Sequence, residues 1–244
     1  MNILDRYGIK EVADVTFYEI AENGDPGAPV LYLDTLKVST IEQTAENTSA
    51  RGGKGNPELV SWDYGKEITL TLEDALFSAK SMALMYGVDI KDTGDFANEN
   101  EILKTVKPSQ VSADGSKITI NGQDFTVSGS VTYYDENGSS TTNKASAAYA
   151  TAKITVSGQK IVISSDKFPK TYYITGDTYA RSEATGKDEF FQFIIPKAKM
   201  QSEVTLTMEA EGDPSTFNMS LKVLRPADGE MMKLVKYSLP GSGS

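Results

Sequence analysis

Hydrophobic and polar residues alternate with a period of two along most of this chain, the pattern of strands with one face in a core and one in water. Residues 12–20 carry it first, closed by the turn-forming Asn23-Gly24-Asp25-Pro26-Gly27. Residues 30–40 form a second expected strand, with Leu31 and Leu33 on one face and Tyr32 on the other. Residues 66–72 alternate cleanly, Ile68, Leu70 and Leu72 against Glu67, Thr69 and Thr71. One segment switches to helical spacing: residues 73–86, opening on Glu73 and Asp74 and stopping at Gly87. Phe77, Ser81, Leu84 and Met85 fall on one side of it and are expected in the core.

An acidic polar link, residues 89–100, leads into strands and turns. Residues 117–121 and 124–134 predict a hairpin about Gly122-Gln123, and residues 150–156 with 160–164 a second about Ser157-Gly158-Gln159. Residues 137–148 are small and polar, an exposed loop tip. Residues 168–175 continue the sheet, 189–195 are almost continuously apolar and expected to be buried on both faces, and 203–210, 217–224 and 231–239 supply the last strands. The expected fold is mainly β: a sandwich or barrel of antiparallel strands with one short helix, residues 1–239 forming a single elaborated domain. Residues 91–183 stand apart as an insertion or outer sheet, and 240–244 as a flexible tail or linker.

The alternation fails at one place. Between Gln43 and Asn56 there is no apolar residue larger than Ala, an unusual length of structureless chain inside a compact domain. It runs into residues 59–64, where the single tryptophan, Trp62, lies two positions from Tyr64. Residues 41–64 are therefore expected to be an extended arm or loop that is ordered against a neighbouring subunit. Gln43, Asn47, Arg51, Lys54, Asn56, Trp62 and Tyr64 are its candidate interface residues. Arg51 and Lys54 make the arm locally basic, suited to an acidic surface on a neighbour.

The 244 residues include neither histidine nor cysteine, which excludes imidazole bases, Cys or His nucleophile pairs, thiolate or imidazole zinc sites and disulfides. The hydrophobic fraction of 39% supports a core, and no apolar run is long enough to span a membrane as a helix. The opening residues lack the basic and apolar regions of a signal peptide. With 34 acidic against 24 basic residues the net charge is −10, unsuited to wrapping nucleic acid.

Candidate chemistry is thin. Asp89, Asp92 and Asp95 recur every third residue beside Gly94, which is not an alternating calcium-loop pattern and predicts a solvated loop. Gly52-Gly53-Lys54-Gly55-Asn56 lacks the spacing and the Ser or Thr of a phosphate loop. Carboxylate-only glycoside hydrolysis needs two convergent acids, and nothing in the pattern brings a pair together. No catalytic, metal or cofactor residue is assigned. Twelve tyrosines offer stacking faces for a glycan, but Tyr133-Tyr134 and Tyr172-Tyr173 lie in strand patterns and are expected to pack.

Three stretches carry a family likeness. Residues 59–78, continuing to Gly87, join an arm, a strand and a short helix; Phe191-Gln192-Phe193-Ile194-Ile195-Pro196-Lys197-Ala198-Lys199 and residues 207–219 follow near the end. Together they resemble the structural proteins of tailed bacteriophages, most closely the major tail or tail-tube type, over about a third of the chain. The resemblance implies a self-assembling virion protein made in the host cytoplasm: six subunits per ring, rings stacked into a tube, and sheets of neighbours joined into a continuous inner barrel. It implies contacts with other tail proteins, transient passage of DNA without specific binding, and no membrane association. An acidic lumen would repel passing phosphates. Head decoration, tail completion, or glycan binding at a virion surface are the alternative roles.

Overall fold

The computed structural model describes residues 6–9, 11–92, 100–201 and 216–237. They divide into two compact units, residues 1–88 with 163–244, and residues 89–162. The protein is mainly β, and among the described residues the strand pairing is antiparallel throughout and there is one α-helix.

The first unit holds β1 (Tyr7–Ile9), β2 (Asp14–Ile20), β3 (Pro26–Leu33), β4 (Leu36–Arg51), β5 (Glu58–Asp74) and α1 (Ala79–Tyr86). The second contains β6 (Ile90–Asp92), β7 (Glu101–Val106), β8 (Lys117–Ile120), β9 (Gln123–Tyr134), β10 (Ser140–Thr141), β11 (Tyr149–Thr155) and β12 (Gln159–Ile161). The chain then returns to the first unit with β13 (Thr171–Ser182), β14 (Asp188–Met200), β15 (Phe217–Val223) and β16 (Lys233–Tyr237).

In the first unit, nine strands form one sheet in the order β3-β2-β13-β14-β15-β5-β4, with β1 added to β13 and β16 to β14. Strands β3 and β4 stand at opposite ends of this order, yet only Asp34 and Thr35 separate them in the chain. Three peptide steps span at most about 11 Å, so the sheet has to curl until its ends nearly meet. The Ala13 N–H donates to Ser39 Oγ at 3.3 Å across this seam. Asp74, 2% exposed, closes it from β5, its carboxylate accepting from Thr35 Oγ1 at 2.6 Å and from the Leu76 N–H at 3.3 Å.

One face of the sheet supplies a single core: Val15 and Phe17, Ile68, Leu70 and Leu72, Ile174, Ile195, Met219 and Leu221, joined by Leu84 and Met85 of α1. Gly176 belongs to this face because a Cβ there would fall within the Phe193 ring. The second unit has its own core, centred on Ile118 and Ile154 of β8 and β11, beneath a sheet ordered β10-β9-β11-β7 with β8 against β9.

Several expectations need correction. The helix begins at Ala79, not at residue 73; Glu73 and Asp74 end β5, and Ser78 caps the helix by accepting from the Ser81 N–H. Gly87 does supply the left-handed stop, and Ser81, Leu84 and Met85 are buried, but Phe77 precedes the helix and is 58% exposed. The expected strand over residues 30–40 is broken at Asp34-Thr35. The hairpin of β8 and β9 forms, turning at Asn121 and Gly122 with φ of 51° and 80°. The second expected hairpin does not: β11 pairs with β7 and β9, and β12 pairs with β6. In β14 only Phe193 and Ile195 of the apolar run are buried, their neighbours half-buried, so one face alone is sealed. Tyr172 is buried, while Tyr133, Tyr134 and Tyr173 are half-buried. The expected strand over residues 203–210, and Asp95 of the acidic loop, lie outside the described residues. Among the described residues, no helix is long and apolar enough to cross a membrane.

Candidate functional site

Residues 43–56 are not a structureless excursion. They form the upper half of β4 and the turn into β5, paired in register from Gln43↔Ile68 out to Arg51↔Glu58. Thr, Ser and Asn suit a pleated ribbon whose two faces both meet water, so no apolar alternation marks it. From Gln43 to Glu67 every residue is exposed except Ser49 and Gly52, which are half-buried. Among the described residues no third strand pairs with this stretch. It is a two-stranded ribbon projecting from the sheet by about 25 Å, from the strand rise of ~3.3 Å per residue over Thr44 to Arg51.

The ribbon has two unlike faces. Cross-strand partners share a face, so Glu46↔Tyr64, Thr48↔Trp62 and Ala50↔Val60 lie on one side, and Asn47↔Asp63 and Ser49↔Ser61 on the other. Val60, Trp62 and Tyr64 thus make an apolar stripe, with exposures of 49%, 53% and 53%. A bulge decides its direction. Between Thr44↔Glu67 and Glu46↔Tyr64 strand β5 uses one residue more than β4, at Gly65 with φ of 62°. Strict alternation from Leu70 and Ile68 would turn Tyr64 and Trp62 to the core side; the extra residue turns them to the opposite side.

Of the residues expected at an interface, Trp62 and Tyr64 are brought together on this stripe, and Asn47 lies on the polar face. Gln43 stands at the base, opposite Ile68. Arg51 is spent within the ribbon, its Nη2 donating to Glu58 Oε2 at 3.1 Å. Lys54 and Asn56 occupy the turn, which is closed by Gly52 N–H to Pro57 O at 3.2 Å and Asn56 N–H to Gly53 O at 3.1 Å. Over its full length the arm is not basic: residues 41–64 hold two cations, Arg51 and Lys54, against four carboxylates, Glu42, Glu46, Glu58 and Asp63.

A second feature had no sequence signal beyond short terminal alternations. Beyond the barrel seam, β13 and β14 continue as a four-strand end ordered β1-β13-β14-β16. Among the described residues nothing pairs with the outer edge of β1 or of β16, and Ile9 and Leu234 are 66% and 63% exposed. On the face away from the core, Asp14 and Asp177 are direct cross-strand partners. Tyr237 Oη and Gln192 Nε2 donate to Asp177 Oδ1 at 3.1 and 2.9 Å, and Tyr32 Oη to Asp14 at 3.4 Å. The Asp14 charge is the main reason the Tyr32 phenol titrates above its ordinary range. Among the described residues, no three acidic side chains converge as metal ligands would.

The arrangement offers surfaces for pairing and packing: an amphipathic ribbon and two open strand edges. Comparison with known proteins agrees with that. A tail tube protein of Bacillus phage SPR is 23% identical over 252 residues, an alignment covering 93% of this chain and 87% of the relative. The profile of the YomU/Tube protein family matches residues 7–236, nearly the whole of the fold just described. The resemblance to phage tail-tube proteins therefore extends well past the stretches that first carried it, and the chain belongs to the YomU/Tube protein family.

Proposed function

We propose that this protein is the building block of a phage tail tube: six copies close a ring, rings stack, and the resulting passage conducts DNA. The work is passive and needs no catalysis or cofactor. The observation that carries the proposal is the ribbon of residues 43–64. A free two-stranded hairpin is marginal in water, and this one presents an aromatic stripe that none of the described residues covers.

Burial of that stripe against the adjacent ring supplies the stacking contact. Trp62 and Tyr64 are each about half exposed, and an aromatic side chain can bury ~150–250 Å², so about 100 Å² remains available on each. At ~25 cal/mol per Å² the two together contribute roughly 5 kcal/mol per contact before ordering costs. Within a ring, the open edges of β1 and β16 favour head-to-tail strand addition, which closes on itself and removes both edges. With a net charge of −10 the chain can set carboxylates along the passage, where they repel phosphates. The place of action is the virion tail, in contact with other tail proteins, after synthesis in the host cytoplasm.

The experiment is to replace residues 45–66 by a two-residue Asn-Gly turn flanked by the Thr44↔Glu67 pair, and separately to make Trp62→Ala with Tyr64→Ala. Both variants should keep the wild-type circular dichroism spectrum and fail to form tubes in electron micrographs. Normal tubes from either variant would remove the ribbon from the assembly.

A further inference from the structure

The first and last strands of the described chain, β1 and β16, do not touch through their backbones; β13 and β14 lie between them. A single cluster nevertheless joins them. The Lys236 ammonium of β16 donates to Tyr7 Oη of β1 at 2.5 Å and lies 4.6 Å from the centre of the Tyr7 ring. The same ammonium forms an ion pair with Glu189 of β14. Tyr7 also meets Phe191 of β14 edge-on, ring centres 5.4 Å apart at 67°. The register puts Tyr7 with Ser182, Ala180 with Glu189, and Phe191 with Lys236, all on one face. Ala180, midway across, is 1% exposed, and its small side chain leaves room for the Tyr7 ring.

This contact is costly to lose because little else among the described residues holds β1. The strand has three paired residues, with the Glu183 N–H to Arg6 O bond and a 3.6 Å Arg6–Glu183 ion pair at one end and the Thr178 Oγ1 to Glu11 O bond at the other. Strand β16 has five paired residues, all to β14. Two short strands, each on one neighbour, fray independently unless something couples them. Lys236 makes that coupling: its charge serves Glu189 and the Tyr7 hydroxyl and ring together, so neither strand can leave without stranding a partner of the other. Glu189 and Tyr7, in that order, hold the ammonium protonated above its ordinary range.

We propose that the Tyr7–Lys236–Glu189 cluster is a clasp that makes β1 and β16 dock as one cooperative unit, so that both open edges of the four-strand end appear together or not at all. The clasp would keep a half-finished end, with one edge ready and the other frayed, from being populated. This goes beyond the tube proposal and holds or fails independently of it.

The test is hydrogen exchange on the full chain kept as monomer, read across the sheet from the site of substitution. Lys236→Met retains the stem and removes the charge; the amides of β1, three strand spacings away in pairing order, should exchange about tenfold faster along with those of β16. Tyr7→Phe keeps the ring and deletes the hydroxyl, and should accelerate exchange in β16 by a smaller factor. Core amides of Phe17, Leu70 and Leu221 should keep wild-type rates in both. If Lys236→Met loosens β16 alone, or Tyr7→Phe loosens β1 alone, the strands are independent and the clasp is refuted. Should Lys236→Met unfold the protein, the milder Tyr7→Phe result decides by itself.

Discussion

Replacing Asp74 by alanine should open the barrel at its seam. The carboxylate is 2% exposed and accepts two hydrogen bonds, from Thr35 Oγ1 in the β3–β4 link and from the Leu76 N–H beyond β5. Hydrogen bonds to a charged acceptor contribute about 1.5–3 kcal/mol each, the 3.3 Å bond counting near the lower end. The alanine leaves the half-buried Thr35 hydroxyl and the N–H of the exposed Leu76 without this acceptor, and it also removes the desolvation of the carboxylate, giving a net loss of about 2–4 kcal/mol. For a chain of this size that is about 5–12 °C in melting temperature. Asp74→Asn retains an acceptor oxygen for both donors and should lose only about 1 kcal/mol. Urea denaturation followed by far-ultraviolet circular dichroism measures both. A loss below about 0.5 kcal/mol for alanine, or equal losses for the two variants, would show that the seam does not depend on this carboxylate.

Three further outcomes are expected. Gly176→Ala forces a methyl into the Phe193 ring and should destabilise by at least ~2 kcal/mol, with Phe193→Leu in the same chain recovering much of it; equal single and double losses contradict the packing assigned to β13. Insertion of one threonine between Ala45 and Glu46 gives Gly65 a partner, restores strict alternation from Ile68 and turns the Val60–Trp62–Tyr64 stripe to the core side, so the variant should melt within about 2 °C of wild type yet not assemble, as seen by thermal scan and micrographs. Chelation should leave both stability and assembly unchanged; a melting temperature lowered by EDTA and restored by calcium would reveal a metal site at the acidic loop.

The strands that line the core were legible because one face is sealed and the other wet. Ile68, Leu70 and Leu72 alternate for that reason, and all three are buried. The helix was legible as an element and misplaced at its start, since two acidic residues ahead of an apolar run resemble a first turn. Asp74 is in fact committed to Thr35, a partner 39 positions away that no local pattern reveals. The ribbon was hidden for the opposite reason to the core strands: with water on both faces, its upper half needs no periodicity, and the pairing of Asn47 with Asp63 leaves no mark in either segment. The aromatic pair was visible, but its direction depends on one additional residue at Gly65, the kind of isolated strand glycine that signals a bulge. The pairing of β11 with β7 and β9 in place of β12 is likewise a matter of distant partners competing with a near one.

The ribbon and its seat are completed at different times. Strands β4 and β5 are neighbours in the chain and need only residues 36–74 to zip together, but β5 is seated in the sheet by β15, Phe217–Val223. About 140 residues must be made in between, which at bacterial elongation rates takes on the order of ten seconds. Throughout that interval the hairpin can exist with its stripe of Val60, Trp62 and Tyr64 bare and no barrel beneath it. A nascent chain on a crowded polysome thus offers a sticky edge before it offers a folded subunit. Ribosome-bound chains cut just after residue 74 should therefore associate with one another, or recruit a holdase, more readily than complete chains do.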